Sequence, residues 1–471
     1  MPSNAKKSIA AAATLPAIHG ATRASTSELH SRAAEQSDGM DSTNRRAAWA
    51  SDPRLSRAEE HAMRGEVLHA ELLLRSVLAE HRDCTPARLA VADYIAKRGD
   101  LDGALQWLRT PQADDSDGKL GFAVAQLECV RGDPAAARAT LEAVLGRQPR
   151  YLEAWLMLGE ICDVLGDTHS ALRARHRVIV ESNAQGRWLS PETIEPAWQH
   201  AVHRGVEAYR RDKRERLFAA FTEVRERHGA DALRRFERAL TGYLGEWNAR
   251  PPDPRQRPKF FWFPDLPPGP YHDPMLQPWA ATLRDAWQEI RDEAAELLRE
   301  DRDFVSFLGL EPGQRAPKSI GGAAANPAWD AYFFYRHGVR YDANHERCPR
   351  TSALLESIEL CRVARQAPEI CFSVIRPQSS ILPHYGVTNT RLVFHLPLVV
   401  PPDCALNVGG VEHRWREGEP ILFDDTYEHE AWNPSDRPRL ILLMDCWNPH
   451  LTEAEKEAVR HAVEAIDAIE N

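Results

Sequence analysis

The stretch Leu382-Pro383-His384-Tyr385-Gly386-Val387-Thr388-Asn389-Thr390-Arg391-Leu392-Val393-Phe394-His395 is answered downstream by Phe423-Asp424-Asp425-Thr426-Tyr427-Glu428-His429-Glu430-Ala431-Trp432. Each places a histidine, His384 or His429, on a turn-rich segment bordered by a β-rich run. Ten residues past His429, Arg439 opens the apolar run Leu440 to Met444. Two imidazoles can share a divalent transition metal. A guanidinium at the head of a buried strand needs an anion, and a carboxylate matches its two-pronged geometry. Histidine, distant histidine and a basic residue about ten positions on form the set that an iron enzyme with a keto-acid cosubstrate requires.

Short β-like runs extend on both sides of these segments: Ala331 to Arg336, Glu369 to Arg376, Arg391 to Val400, Cys404 to Val408, Val411 to Arg416, Pro420 to Phe423 and Arg439 to Asp445. Lys259 to Pro264 reads as a first strand, and Trp279 to Arg299 as an amphipathic helix. Gly409-Gly410 signals a two-residue hairpin and Glu417-Gly418-Glu419 a second turn. Many short antiparallel strands joined by turns imply a sandwich or jelly roll. A helix is expected from Thr452, where Thr452 and Glu455 match a capping box and Val459, Val463 and Ile466 supply an apolar stripe. Asn344 to Pro349 resembles a metal cluster in composition, but its turn-forming residues read as a loop before a helix over Thr351 to Arg362.

The N-terminal part follows a different rule. Gly65, Gly99, Gly132 and Gly166 recur at spacings of 34, 33 and 34, and each is followed five residues later by alanine: Ala70, Ala104, Ala137 and Ala171. Leu74, Leu108 and Leu141 follow three of the glycines at plus nine. Glycine can end one helix in a left-handed cap, and a small alanine lets the next helix approach closely. The period is that of the tetratricopeptide repeat, whose helix pairs stack into a solenoid that commonly binds peptides or proteins. The repeat fades after about residue 182. Glu192 to Tyr209 and Arg214 to Trp247 read as linking helices, and Arg250-Pro251-Pro252-Asp253-Pro254 breaks the chain. The expected organisation is a multidomain α + β chain. It has a disordered leader (1–50), repeats (51–182), a helical linker or cap (183–250) and a β-rich domain (251–471).

At 471 residues with net charge −10, the chain as a whole lacks the basic balance of a nucleic-acid binder. The basic run Arg210 to Arg216 is interleaved with Asp212 and Glu215 and reads as a solvated helix face. The eight cysteines form no C-x-x-C pair and are expected as buried or free thiols of a reducing compartment. No window of 18 apolar residues occurs, so no membrane partner is expected. Lys6 and Lys7 before the alanine-rich run Ser8 to Ile18 loosely mimic a signal peptide. The weak apolar drive of that run favours a disordered leader and a cytoplasmic protein.

Taken together, His384-Tyr385-Gly386 with Thr388-Asn389 and Arg391, the run Phe423-Asp424-Asp425 to Glu428-His429-Glu430, and Arg439 with Asp445-x-Trp447-x-Pro449 resemble the aspartyl/asparaginyl β-hydroxylases. The resemblance covers about residues 255–450. It implies a double-stranded β-helix (a jelly roll) and dependence on Fe(II), 2-oxoglutarate as cosubstrate, and O2. It also accords with upstream tetratricopeptide repeats. By position, His384 and His429 resemble the two iron ligands. Gly386 stands where most 2-oxoglutarate oxygenases carry a third, carboxylate ligand, a gap the family shares. Arg439 with Ser373 resembles the grip on the cosubstrate side-chain carboxylate. His395 resembles a contact nearer the metal, and Trp329 a tryptophan beside the cosubstrate. Val393 stands where the family can have arginine. Strand alternation puts Arg391, Val393 and His395 on one face, which makes Arg391 a candidate substitute. Turn chemistry and a solvated strand end account for Asp425 and Glu428, while Asp424 and Glu430 stay open between that role and support of the histidine.

The implied activity is hydroxylation of an Asp or Asn side chain in a peptide or protein bound with help from the solenoid. A hydroxylase of a free or carrier-bound amino acid, and a repeat scaffold without turnover, are the other classes the residues allow.

Overall fold

The computed structural model describes residues 49–110, 115–300, 303–308, 320–322 and 329–470. The expected leader therefore lies almost wholly outside the described residues. The chain divides into two compact units, one running through Glu215 with Ile469–Asn471, the other Arg216–Ala468.

In the first unit the glycine register is realised as paired helices: α1 (Pro53–Met63), α2 (Val67–Glu80), α3 (Thr85–Lys97), α4 (Leu101–Leu108), α5 (Lys119–Arg131), α6 (Pro134–Arg147), α7 (Leu152–Val164) and α8 (Thr168–Gln185). Gly65, Gly99, Gly132 and Gly166 all take positive φ, from 77° to 90°, a conformation that costs glycine nothing. The alanines five residues on are fully buried, and Leu74, Leu108 and Leu141 are buried with them. Asp100, Asp133 and Asp167, each next to its glycine, cap the following helix through the amide three residues on. Helix α9 (Gln199–Ala219) carries the basic run on a largely exposed surface, as its interleaved acids suggest.

The second unit begins with α10 (Thr222–His228) and α11 (Arg234–Tyr243) and continues with α12 (Ala280–Asp285), α13 (Trp287–Glu300), α14 (Asp342–Arg347), α15 (Pro349–Glu356) and α16 (Glu453–Glu470). The expected helix over 279–299 is thus two, parted at Ala286. Asn344 to Pro349, read as a loop, instead contributes most of α14. The strands are β1 (Tyr271–His272), β2 (Val305–Ser306), β3 (Ile320–Gly322), β4 (Trp329–Arg336), β5 (Val339–Arg340), β6 (Ile370–Ile375), β7 (Ser379–His384), β8 (Arg391–Val399), β9 (Ala405–Val408), β10 (Val411–Arg414), β11 (Ile421–Phe423), β12 (His429–Asn433) and β13 (Arg439–Trp447). Every pairing among them is antiparallel. They form a larger sheet, ordered β1-β11-β8-β13-β6-β4-β2 with β5 beside β4, and a smaller one, β10-β9-β12-β7-β3. Lys259 to Pro264 does not form the expected strand.

Parity along the larger sheet sorts its side chains. Phe372, Val374, Leu392, Phe394, Leu396, Leu440, Leu442 and Met444 join Leu283, Ile290, Ala294, Leu297 and Leu355 from α12, α13 and α15 in one core. The intervening residues, among them Ser373, Val393, His395, Arg439 and Ile441, face a cavity on the other side. These strands are buried on both faces, which is why they read as near-continuous apolar runs. The end helix carries its capping box: Thr452 N–H donates to Glu455 and Glu455 N–H to Thr452 Oγ1. All eight cysteines are buried free thiols, as expected. Among the described residues no helix is long and apolar enough to cross a membrane.

Candidate functional site

Strand β7 ends on His384 and β12 begins on His429, and the two face each other directly in the antiparallel register. The segments read as turns are therefore strand ends. Their ring centroids lie 4.0 Å apart. His384 Nδ1 bonds the Leu382 carbonyl at 2.9 Å and His429 Nδ1 the Tyr427 carbonyl at 3.1 Å. A carbonyl only accepts, so both Nδ1 atoms must donate, and the lone pair of each neutral ring sits on Nε2. Burial holds both rings neutral. It pushes His384 down, and it pushes His429, with His384 beside it, down to about 3.

All seven residues singled out in the sequence line one cavity of about 490 Å³: His384, His429, Trp329, Ser373, Arg391, His395 and Arg439. Arg439 is 1% exposed and ion-paired to no carboxylate among the described residues. One guanidinium nitrogen reaches the Ser373 carbonyl at 3.4 Å, its Nε has no partner, and the group lies 4.8 Å over the Trp415 ring. Burial without a counter-ion pushes it down to about 9, so it is still a cation at neutral pH. Trp329 donates its indole N–H to Ser373 Oγ at 3.0 Å. That bond uses a lone pair and leaves the serine proton free for an acceptor in the cavity. Phe307 stacks on Trp329 at 3.8 Å. His395, with an unpartnered Nδ1, is driven well below its ordinary pKa by burial and then by the Arg439 cation.

Arg391 has a different situation. Its guanidinium donates to Asp445 at 2.5 Å and to the Gln366 carbonyl at 3.3 Å. Alternation does put Arg391, Val393 and His395 in the cavity wall. In register, however, Arg391 pairs with Trp447, the far end of β13 from Arg439. Eight residues of strand separate those ends by roughly 25 Å. The Arg391 guanidinium is also already committed to Asp445, so it is not a free cation of the kind Arg439 is.

The aspartates trade places relative to the sequence reading. Asp424 does the turn chemistry, its Oδ1 accepting from the Thr426 amide at 2.9 Å and hydroxyl at 2.5 Å. Its other oxygen takes the Gln256 side-chain amide at 2.7 Å. Asp425 instead enters the cavity wall and is raised to about 7 by burial and by Asp424. Its carboxylate fills the space that a Cβ at Gly386 would need. Glu428 is exposed, as a solvated strand end should be, while Glu430 lines the cavity and accepts from Asn407 at 3.1 Å. Asp425, read as turn chemistry, and Asp445, quoted only within its motif, belong to the site, as do Phe307 and Trp415, which the sequence reading did not single out. Asp445 was open to discovery, because it shares parity with Arg439, Ile441 and Leu443.

The fold and cavity define a two-sheet antiparallel domain that gathers two tautomer-fixed imidazoles and a buried, unpaired guanidinium around one chamber. Comparison with known proteins gives that class a family. Residues 284–449 match the aspartyl/asparaginyl β-hydroxylase family, and residues 125–175 match a tetratricopeptide repeat. Human aspartate β-hydroxylase domain-containing protein 2 is 30% identical over 249 residues, 52% of this chain and 64% of that protein. Human aspartyl/asparaginyl β-hydroxylase is 30% identical over 179 residues, 38% of this chain and 22% of that protein. The ornithine lipid ester-linked acyl 2-hydroxylase of Rhizobium tropici is 30% identical over 183 residues, 38% of this chain and 61% of that protein. The chain thus spans less than two thirds of the length of these relatives. It carries a domain of the aspartyl/asparaginyl β-hydroxylase family together with tetratricopeptide repeats.

Proposed function

We propose that the chain is an Fe(II)- and 2-oxoglutarate-dependent oxygenase that hydroxylates an Asp or Asn side chain in a peptide or protein, on a double-stranded β-helix formed by the two sheets. One observation carries the reading: paired histidines whose Nδ1 atoms are tied to backbone carbonyls and a buried guanidinium lacking a counter-ion share one cavity. The donor set fits the groups it would hold. Two neutral imidazoles suit iron, and the unpartnered Arg439 suits a carboxylate. When bound with O2, iron and 2-oxoglutarate supply the oxidising power to hydroxylate an unactivated C–H bond, the cosubstrate leaving as succinate and CO2.

The residues' own tasks follow from their placement. The carbonyls of Leu382 and Tyr427 fix the tautomers and aim Nε2 of His384 and His429. Arg439 grips the distal carboxylate, and Ser373, oriented by the Trp329 indole, donates its hydroxyl proton to the same group. His395 stays neutral beside that grip. Asp425, seated against Gly386, fills the space that a side chain there would need. The chain's part is positioning and exclusion of water. The solenoid is the candidate docking surface for a peptide, and the buried free thiols suit the cytoplasm.

A second substrate class has an observation of its own. Ile381, Val387, Val393, Leu406, Phe423 and Leu443 make much of the cavity apolar, which would suit an aliphatic chain, and one relative is named as an acyl hydroxylase. The deciding measurement is succinate release from 2-oxoglutarate with Fe(II), with Asp/Asn peptides or acyl-amino acids offered in parallel. Peptide-stimulated succinate, lost in His384→Ala and His429→Ala, is expected. Succinate release unaffected by both substitutions would sink the reading.

A further inference from the structure

Residues 256–263 form no helix or strand and lie upstream of the residues that match the family. Their polar groups go one after another to the two loops that carry the histidines. Where β7 ends at His384 and before β12 begins at His429, the backbone leaves the sheet ladder and its carbonyls need other donors. Arg257 N–H donates to the Thr426 carbonyl at 2.7 Å, Lys259 N–H to Gly386 at 3.1 Å, and the amides of Phe260 and Phe261 to Val387 at 2.9 and 3.1 Å. The buried Gln256 donates its side-chain amide to Asp424, the residue that shapes the turn ahead of His429. Phe263 and Asn389 exchange a pair of bonds at 2.7 and 2.8 Å. The segment is backed by apolar contacts. Phe261 and Phe263 are buried, and the Tyr243 ring lies 5.7 Å from Phe260 and 6.0 Å from Phe261.

We propose that residues 256–263 are a strap that positions the two-histidine centre, with the Gln256 amide and the Lys259 N–H as its positioning groups. The inference rests on the reading of His384 and His429 as metal ligands. Apart from the strap, the two loops are tied across by the Gly386 N–H to the Asp425 carbonyl at 2.6 Å and by the register at the histidines themselves. With only two protein ligands, a small rotation of either loop spoils half of the protein's hold on the metal, so slack costs more here than in a three-ligand site. The strap joins both loops to one segment anchored by the buried Phe261 and Phe263 and so limits that slack.

The test uses the full chain and Co(II), followed by its visible absorption and by titration. Gln256→Met keeps the length of the side chain and deletes the donor. Lys259→Pro, following Pro258, deletes one backbone donor together with a cation that acts on both histidines, and is read against Lys259→Met, which deletes the cation alone. Gln256→Met and, relative to Lys259→Met, Lys259→Pro are each expected to bind Co(II) about tenfold more weakly, with a changed ligand-field spectrum. The KM for 2-oxoglutarate at saturating metal should move by less than about twofold, because Arg439 and Ser373 are not held by the strap. Wild-type affinity and spectrum in Gln256→Met, measured well below its unfolding midpoint, overturn the proposal even if that midpoint has fallen. Gln256→Met alone decides if Lys259→Pro does not fold. Failure of the wild-type chain to bind Co(II) overturns the ligand assignment, and the strap with it. Tight wild-type binding with unchanged variants overturns the strap only.

Discussion

Arg439 is a cation sealed from water, with an aromatic face on one side, a single carbonyl contact and a nitrogen with no partner. Such a group is costly in the empty cavity and becomes favourable when a carboxylate enters. Arg439→Ala should therefore raise the KM for 2-oxoglutarate by at least about a hundredfold, since stranding a buried charge costs about 3–5 kcal/mol. Metal affinity should change little. Arg439→Lys should restore only part of the loss, because an ammonium cannot make the two-pronged contact. An unchanged KM in Arg439→Ala would remove the cosubstrate from this cavity. Asp425 gives a prediction with a sign. Burial raises its folded pKa to about 7, above the ordinary aspartate value, so the folded state binds the extra proton between about pH 4 and 7. That contribution is fully present below the unfolded pKa and is lost as pH rises through 7. In metal-free protein Asp425→Asn should exceed the wild-type melting temperature slightly near pH 5, where about a third of the contribution is already lost, and by a further few °C, about 2–5, at pH 8. A difference independent of pH would contradict the assignment.

At the scale of elements, the histidines show what the sequence makes legible. Strands β6, β8 and β13 are apolar because both faces are buried, and their alternation places Ser373, His395 and Arg439 on one face. Strands β7 and β12 are not legible. Ser379–His384 contains Pro383 and His429–Asn433 is short and mostly polar, so both read as turns. They exist because β9 and β3 pair with them on either side. Likewise Lys259 to Pro264 has a strand's composition, but Pro258 and Pro264 remove donors and its remaining amides go to loops. Gly386 tests the packing between the two histidine loops. A methyl group there would overlap the Asp425 carboxylate, so Gly386→Ala should destabilise by about 1–3 kcal/mol and weaken metal binding. Gly386→Ala with Asp425→Ala should recover part of the stability, a coupling of at least about 0.5 kcal/mol. Additive losses in denaturant titrations would mean that the two residues do not share that space. The same crowding leaves little room for Gly386→Asp to act as a third ligand.

At the scale of the molecule, the glycine register gave away the helical unit because each glycine stands where only a left-handed turn closes the repeat. The end of that region was less legible. Arg250 to Pro254 is the strongest break in composition, yet α10 and α11 precede it and pack with the β-rich unit. Leu217, Phe221, Val224, Phe236 and Leu240 are buried, with Phe221 and Phe236 edge to face at 4.9 Å.

The decisive tie is Arg235. Its guanidinium forks onto Glu455 at 2.8 and 2.6 Å, donates to the His450 carbonyl at 3.0 Å and lies 5.5 Å over the ring of Phe263. Glu455, only 2% exposed, is also the acid of the box that caps the end helix. A chain cut at residue 251 strips Glu455 of its cation, a loss of at most about 3–5 kcal/mol, the value for a carboxylate that stays buried. It also uncovers the face on which Phe260 and Phe261 rest. Fragment 251–471 should therefore melt about 10 °C or more below fragment 197–471, which retains α10 and α11. Glu455→Gln should narrow the gap in the shorter fragment, because an amide can still accept from the Thr452 N–H but leaves no uncompensated charge. In the longer fragment the same substitution should be destabilising, since it breaks an existing pair. Equal midpoints for the two fragments, or a Glu455→Gln effect of the same sign in both, would place the structural boundary at the proline run after all.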